Sequence, residues 1–404
     1  MTMGAVARLR PLLALVLLVA VALALPSEAA AAAALPSEAA AAQPVLAAAN
    51  TDVDVHTVHM VFSHHLDIGL NKALRFVGGC SGFATKIVQQ YFDDFIPKAI
   101  ALAAEVNAGL GSAERADGRF AYTLHPWIAS LYVDCVAWDV ADGCPLNPGR
   151  LHCPNATQVA AFDAAVRRGE LLWADSPFNI NSGVVGEPGM FEALFDIAAA
   201  LNERYNLTKA ERVWSNVDVP GFARSAIPLL KRAGASALSV CANVGNAHQV
   251  APADCKGTAC THTSIPAEFL GGDPLDTPNA TMWRWHDPVS DEEILVLYHK
   301  AQRDTQGILT PGQLSSELNT YGGYTRRDNT IITAGGTALA TYIAADNTGP
   351  PLSTAEVRSI FQTVKRVFPR AKTVFGSTWD KFVGDITPHE VAALPLHSSA
   401  WGDQ

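Results

Sequence analysis

From residue 55 onward the chain alternates short apolar runs rich in β-branched residues with longer stretches of helical period. The run "DVHTVHMVFS" reads as a strand over 55–63. "ATKIVQQYFDDFIPKAIALAAEVN" reads as an amphipathic helix over 84–107, with apolar residues three and four apart. The order then repeats. "RFAYTLHPWIASLYVDC" opens as a strand, and "NATQVAAFDAAVRRGE" is a helix with Asn or Thr as its cap. "LLWADSPFN" is a strand, "MFEALFDIAAALNERYN" a helix and "ERVWSNVDVPG" a strand. "ARSAIPLLKRAGA" and "ALSVCANVG" add a further helix and strand. "MWRWHD" and "EILVLYHK" form a hairpin pattern. "TALATYIAADNTGPP", "STAEVRSIFQTVKRVFP" and "AKTVFGSTWDKF" close the series as strand, helix and strand. Such a rhythm requires a parallel α/β sheet, and its length favours a closed β/α barrel. A composition that is 49% hydrophobic over 404 residues supplies the core.

The first 29 residues read as a signal peptide, with two arginines, an apolar stretch from Pro11 to Leu25 and small residues after it. The stretch is short for a bilayer span, and an N-terminal anchor is the alternative. Residues 30–50 carry the tandem "LPSEAA" repeat and read as a low-complexity, Ala-rich linker; residues 51–404 form the folded domain. No other segment has transmembrane character, so no stable membrane insertion is expected after cleavage. Three glycosylation sequons, at Asn155, Asn206 and Asn279, suit a secreted glycoprotein or a secretory-pathway lumen. The seven cysteines include two local groups, 135–153 and 241–260, in loop-like sequence. They suit loop disulfides better than a zinc knuckle, because no C-x-x-C pair is present. A net charge of −10 without a basic block excludes nucleic acid as the main partner.

In parallel α/β folds the chemistry lies beyond the C-terminal ends of the strands. His64, His65 and Asp67 follow the first strand, Asp175 and Asn179 follow "LLWA", Asp218 follows "VWSNV", and Asp346 follows "ALATYIAA". Imidazole and carboxylates on one rim suit a divalent metal, zinc foremost. A carboxylate pair suits retaining glycoside hydrolysis. Sugar sites also want aromatic platforms, for which Trp127, Trp173, Trp283 and Trp285 are candidates, Trp173 and Trp285 foremost.

The stretch "SHHLDIGL" resembles the opening motif of glycoside hydrolase family 38, the zinc-dependent α-mannosidases, which is close to H-S-H-N-D-P-G-W. "RGELLWADSPFNINSG", "RVWSNVDVPGFARSAIPLLKRAGA" and the block from Ala338 to Val383 are similar to later family segments in order and shape. A "YGG" element, Tyr321-Gly322-Gly323, places the chain nearer an uncharacterised family-38-like branch than the known mannosidases. The resemblance covers roughly residues 54–384 and implies a seven-stranded parallel β/α barrel. It implies zinc on His65, Asp67 and Asp218, with Asp218 also the nucleophile and Asp346 the acid/base. The substrate class would be an α-linked, mannose-like glycan.

The departures are specific. Leu66 and Leu70 replace the motif's Asn and its sugar-stacking aromatic, and "DVPGFA" replaces D-P-F-G-H-S. The family's fourth ligand comes from a helical bundle after the barrel, and neither that bundle nor the β-sandwich is found before Gln404. The expectation is therefore a single catalytic domain, read as a fragment, with His397 the late histidine to stand in. Two other readings stay open. One is an inactive barrel serving as a carbohydrate-binding or surface protein. The other is a different metal-dependent polysaccharide hydrolase, such as a deacetylase, although no H-x-x-x-H pair is present.

Overall fold

The structure is a computed structural model that describes residues 53–66, 87–111, 116–135, 151–180, 182–219, 222–242, 282–298, 330–344 and 349–398. The signal and linker segments lie outside these residues.

The first strand, β1 (Thr57–His64), is buried along nearly its whole length on both faces. That burial is what a central strand of a parallel sheet requires. A π-helical turn (Tyr91–Phe95) runs into α1 (Ile96–Val106), which crosses back to β2 (Tyr122–Leu124). Helices α2 (Pro126–Val133) and α3 (Ala156–Arg167) lead to β3 (Leu171–Trp173). The Asn155 cap expected from sequence is present: its side chain accepts from the Gln158 amide at 3.0 Å, and the Gln158 side chain returns the bond. This reciprocal pairing satisfies two amides that would otherwise be unbonded.

Helices α4 (Pro188–Ala193) and α5 (Phe195–Tyr205) precede β4 (Val213–Val219); α6 (Ile227–Arg232) precedes β5 (Ala237–Ala242). The expected hairpin is β6 (Met282–Asp287) with β7 (Glu292–Tyr298), paired antiparallel. A second, unexpected hairpin joins β8 (Ile331–Ile332) to β9 (Thr337–Ala344). Helix α7 (Thr354–Val367) buries Val357, Ile360, Phe361 and Val364, one face at helical spacing. The chain ends with β10 (Thr373–Gly376), α8 (Trp379–Gly384), α9 (Pro388–Ala392) and β11 (Leu396–His397).

The strands form two sheets. One has the order β3-β2-β1-β9-β8, with β10 also on β1; the other runs β11-β6-β7-β5-β4. A single closed seven-stranded ring, the sequence expectation, is not what the described ladders form. Strands β10 and β2 share one edge of β1, β10 taking residues 57–60 and β2 residues 62–63. This leaves β2 and β3 only three residues long. The segment after β3 meets β4 through isolated bonds rather than a ladder: Asp175 N–H to the Val213 carbonyl at 3.0 Å, and Ser215 N–H to Ser176 Oγ at 3.1 Å.

The two sheets share a core. Val61, Val213, Ala237, Leu295, Leu297 and Leu339 meet Trp379, Phe382 and Val383 of α8 there. The opposite faces pack helices, through Phe62, Tyr122 and Val374 on one sheet and Trp214, Trp283 and Trp285 on the other.

Gly376 marks the junction of β10 with the segment before β2. Its amide donates to the Arg119 carbonyl at 2.6 Å, and a Cβ there would lie 2.4 Å from the Ala121 nitrogen. Since backbone cannot yield as a side-chain tip does, Gly376→Ala is expected to cost about 1–3 kcal/mol. Urea unfolding measures this, and a midpoint equal to that of the native chain would contradict the tight junction.

Candidate functional site

The polar residues at the C-terminal end of β1 are held by the strand beside it. Register between the two runs Phe62 to Tyr122 and Ser63 to Thr123, and Ser63 Oγ donates to the Thr123 carbonyl at 3.0 Å. Alternation puts Ser63 and His65 on the face that also carries Val61, toward the core shared by the sheets. His64 points the other way. Its Nε2 accepts from the His125 backbone amide at 3.1 Å, so its Nδ1 carries the proton and donates to Tyr91 Oη at 2.5 Å. Tyr91 opens the π-helical turn, a feature that recurs at functional sites. His64 thus clamps the segment after β2 to the π-helical turn.

His125 follows β2 in extended backbone (φ −73°, ψ 132°) and is 5% exposed. Its ring lies 5.1 Å from that of His64, edge-on at 74°. It is held by a hydrogen bond to the Ser176 backbone, while Nε2 is buried with no hydrogen-bond partner. The bond to Ser176 therefore falls to Nδ1. An unsatisfied buried nitrogen costs about 1–3 kcal/mol. Burial, then the neighbouring His65, pushes the His125 pKa down to about 4. Burial, then His125 and His65, hold His64 well below the usual histidine range. His64 and His125 are thus held toward the neutral form, with the His65 ring beside them. His125 has no H-x-x-x-H partner, yet it follows the apolar run "FAYTL" as His64 follows "HMVFS".

The other predicted residues fall as follows. His65 is 4% exposed at the end of β1. Asp67 lies outside the described residues. The backbone of Asp218 is in β4, where the ladder with β5 slips: Val217 pairs with Cys241 and Val219 with Ala242, leaving Asp218 as the extra residue of a bulge. Its side chain is outside the described set. Asp346 also lies outside it, two residues beyond the end of β9. Asn216 of β4 clamps the loop after β3, exchanging both amide bonds with Ile180 at 2.9 and 3.0 Å.

Trp173 and Trp285 are enclosed in the two helix-side cores, 1% and 0% exposed. Trp173 donates to Asn202 at 2.9 Å. Neither offers an open ring face to a sugar, and Trp283 is equally buried. The same-face alternation of Leu171 with Trp173 already pointed to the core. Trp127, the first candidate in the chain, is half-buried directly after His125 and Pro126, with Phe178 edge-on at 6.4 Å.

Asp175, expected at the rim, is fully buried in a charge network. It accepts from Arg212 Nε at 2.5 Å and Lys209 Nζ at 3.2 Å. His397 packs edge-on to Trp283 on the helix-side face of the second sheet, not on the shared face. A pocket of about 670 Å³ lies by the N-terminal ends of β2, β3 and β4, lined by Arg119, Arg168, Lys209 and Asp380 among others. Neither His65 nor His125 lines it. Among the described residues, no three His, Cys, Asp or Glu side chains form a metal-binding group.

Of the donor types that a zinc ion takes, the described residues supply two buried imidazoles here, His65 and His125, at the ends of adjacent strands.

No protein-family model matches the chain, and no curated protein matches it. Among solved structures it is similar to a 4-α-glucanotransferase from Thermococcus litoralis, at 8% identity and TM-score 0.44, covering 85% of this chain and 40% of that one. It is similar to an α-mannosidase from Enterococcus faecalis V583, at 9% identity and TM-score 0.48, covering 85% of this chain and 30% of that one. It is also similar to a protein in the glycosyl hydrolase family 38 from Enterococcus faecalis, at 8% identity and TM-score 0.42, with 85% and 29% coverage. This chain therefore spans well under half the length of each, and similarity at this level assigns neither residue nor activity.

Proposed function

We propose that the protein is a secreted, zinc-dependent retaining glycoside hydrolase acting on α-linked, mannose-like sugars. The observation that carries this is the rim at the end of β1. There the His65 of "SHHLD" is buried beside a second imidazole with an unpartnered nitrogen. In this reading His65, Asp67 and Asp218 hold the zinc. Bound zinc would supply Lewis-acid binding of vicinal sugar hydroxyls.

The chain's own residues perform the covalent steps. The Asp218 carboxylate attacks the anomeric carbon as the glycosidic bond breaks, giving a glycosyl ester. Asp346 gives its proton to the leaving oxygen, then takes one from the water that cleaves the ester. A bulge is a means by which a strand re-aims a side chain next to a site, and β4 has one at Asp218. Trp127, half-exposed beside His125, is the candidate sugar platform in place of Trp173 and Trp285.

The secretory reading is supported by a Cys135–Cys153 disulfide and by exposed side chains at the sequon residues Asn155 and Asn206. No described helix is long and apolar enough to cross a membrane.

The test is hydrolysis of nitrophenyl α-glycosides by the zinc-loaded protein, with the first-formed anomer read by proton NMR. The expected product from an α-mannoside is the α-anomer. Release of the β-anomer would remove the double-displacement scheme, and no turnover of any α-glycoside would favour the inactive-barrel reading.

A further inference from the structure

We infer that the Thr123 hydroxyl binds a hydroxyl group of the sugar, and that the hydroxyl side chains around it form the floor of the sugar site. The inference rests on the α-glycoside reading above and uses none of the proposed metal ligands.

The first observation is a change of lining along the face shared by the two sheets. Val61 on β1, Val213 on β4, Ala237 on β5 and Leu339 on β9 make it apolar, packed with Trp379 and Phe382. Two residues further along each of these strands, on the same face by alternation, stands a buried hydroxyl: Ser63, Ser215, Ser239 and Thr341. Strand β2 adds Thr123, in register with Ser63. Phe120, Tyr122 and Leu124 take the helix side of that segment, which leaves Thr123 to the shared face. The interior of a parallel α/β barrel is ordinarily filled by bulky branched side chains. Short hydroxyls on five strands, toward the ends where chemistry lies in such folds, instead supply hydrogen-bonding atoms.

The second observation separates Thr123 from its neighbours. Ser63 Oγ donates to the Thr123 carbonyl at 3.0 Å, and Ser176 Oγ accepts from the Ser215 amide at 3.1 Å, so these hydroxyls are used within the fold. Thr123 Oγ1 is buried with no hydrogen-bond partner, in a residue 1% exposed. Buried hydroxyls are ordinarily bonded. Tyr122 Oη and Trp214 Nε1 are unpartnered too, but they belong to residues of the helix-side cores. On the Thr123 side of β2 the other unpartnered atom is His125 Nε2, two residues on. A hydroxyl and an imidazole nitrogen suit a ligand rich in hydroxyls, because each ligand hydroxyl both donates and accepts.

The experiment uses the full chain and reads binding of methyl α-mannoside by saturation-transfer NMR titration, beside urea unfolding of each variant. Thr123→Val keeps the shape and removes the hydroxyl. It should weaken binding about three- to tenfold, the effect of one net hydrogen bond, with an unfolding midpoint at or above that of the native chain. Thr123→Ser should keep native affinity. Within a set of singly deoxygenated methyl mannosides, the one lacking the contacted hydroxyl should bind the native and Thr123→Val chains equally.

If the native chain binds the mannoside and Thr123→Val binds it as tightly, the hydroxyl does not touch the sugar; the inference falls and the sugar reading stands. A clearly lower unfolding midpoint for Thr123→Val shows a hydroxyl bonded within the fold, which also overturns it. If the native chain binds none of the methyl α-mannoside, α-glucoside and α-galactoside, the sugar reading itself fails.

Discussion

Lys209→Met is expected to destabilise the protein by about 3–5 kcal/mol, the range for breaking a buried ion pair from one side. Lys209 Nζ donates to the Trp173 carbonyl at 2.6 Å and pairs with Asp175 at 3.2 Å and Asp380 at 3.0 Å. Burial by itself would lower its pKa, but Asp380 and Asp175 outweigh burial and raise it above the usual lysine range. Removing the ammonium leaves Asp175 with Arg212, while Asp380 retains the Val213 amide at 2.9 Å as a neutral partner.

Burial pushes the Asp380 carboxyl above its usual range against the pull of Lys209, so without the lysine its protonated form is favoured further. A carboxyl with a raised folded-state pKa contributes stability below its unfolded value, and that contribution is lost as pH rises through the folded value. The penalty of Lys209→Met should therefore be largest at neutral pH and shrink as the solution is acidified toward pH ~4. Urea midpoints at two pH values measure it. Adding Asp380→Asn to Lys209→Met should recover part of the loss. A cost under about 1 kcal/mol would show that the network is solvated rather than buried.

On the proposed mechanism, Asp218→Asn is expected to reduce hydrolysis of α-glycosides by at least about a thousandfold, the scale on which loss of a nucleophile is felt. The change is isosteric, so unfolding midpoints should stay close to those of the native chain. Leaving-group dependence separates its role from that of Asp346. A substrate whose leaving group needs no proton should still be cleaved by Asp346→Asn, because general-acid help becomes dispensable. The same substrate should not rescue Asp218→Asn, which lacks the attacking oxygen. Retained turnover in Asp218→Asn would remove it from the nucleophile position.

Much of this architecture is legible in sequence because the relevant patterns are local. The β1 run, the Asn155 cap, the Met282–Tyr298 hairpin and the amphipathic face of Thr354–Val367 all follow from periodicity and turn chemistry. What sequence does not carry is lateral order. The placing of β10 and β2 on one edge of β1 depends on which edges meet across more than 300 residues. The same holds for the site. His65 stands out as part of a motif, whereas the contact of His125 with His64 arises only in the fold. Asp175 has the strand-end position of a catalytic acid, but Lys209 and Arg212, distant in sequence, make it a structural ion. Trp173 and Trp285 look like sugar platforms until packing encloses them.

A metal-binding rim at the end of the first strand is the core of the proposed function. Elemental analysis of the purified native chain, dialysed against metal-free buffer, tests it most directly. One zinc per chain, lost in His65→Ala with the fold intact, is the predicted result. Native protein with no stoichiometric metal, even after incubation with excess zinc, would contradict it.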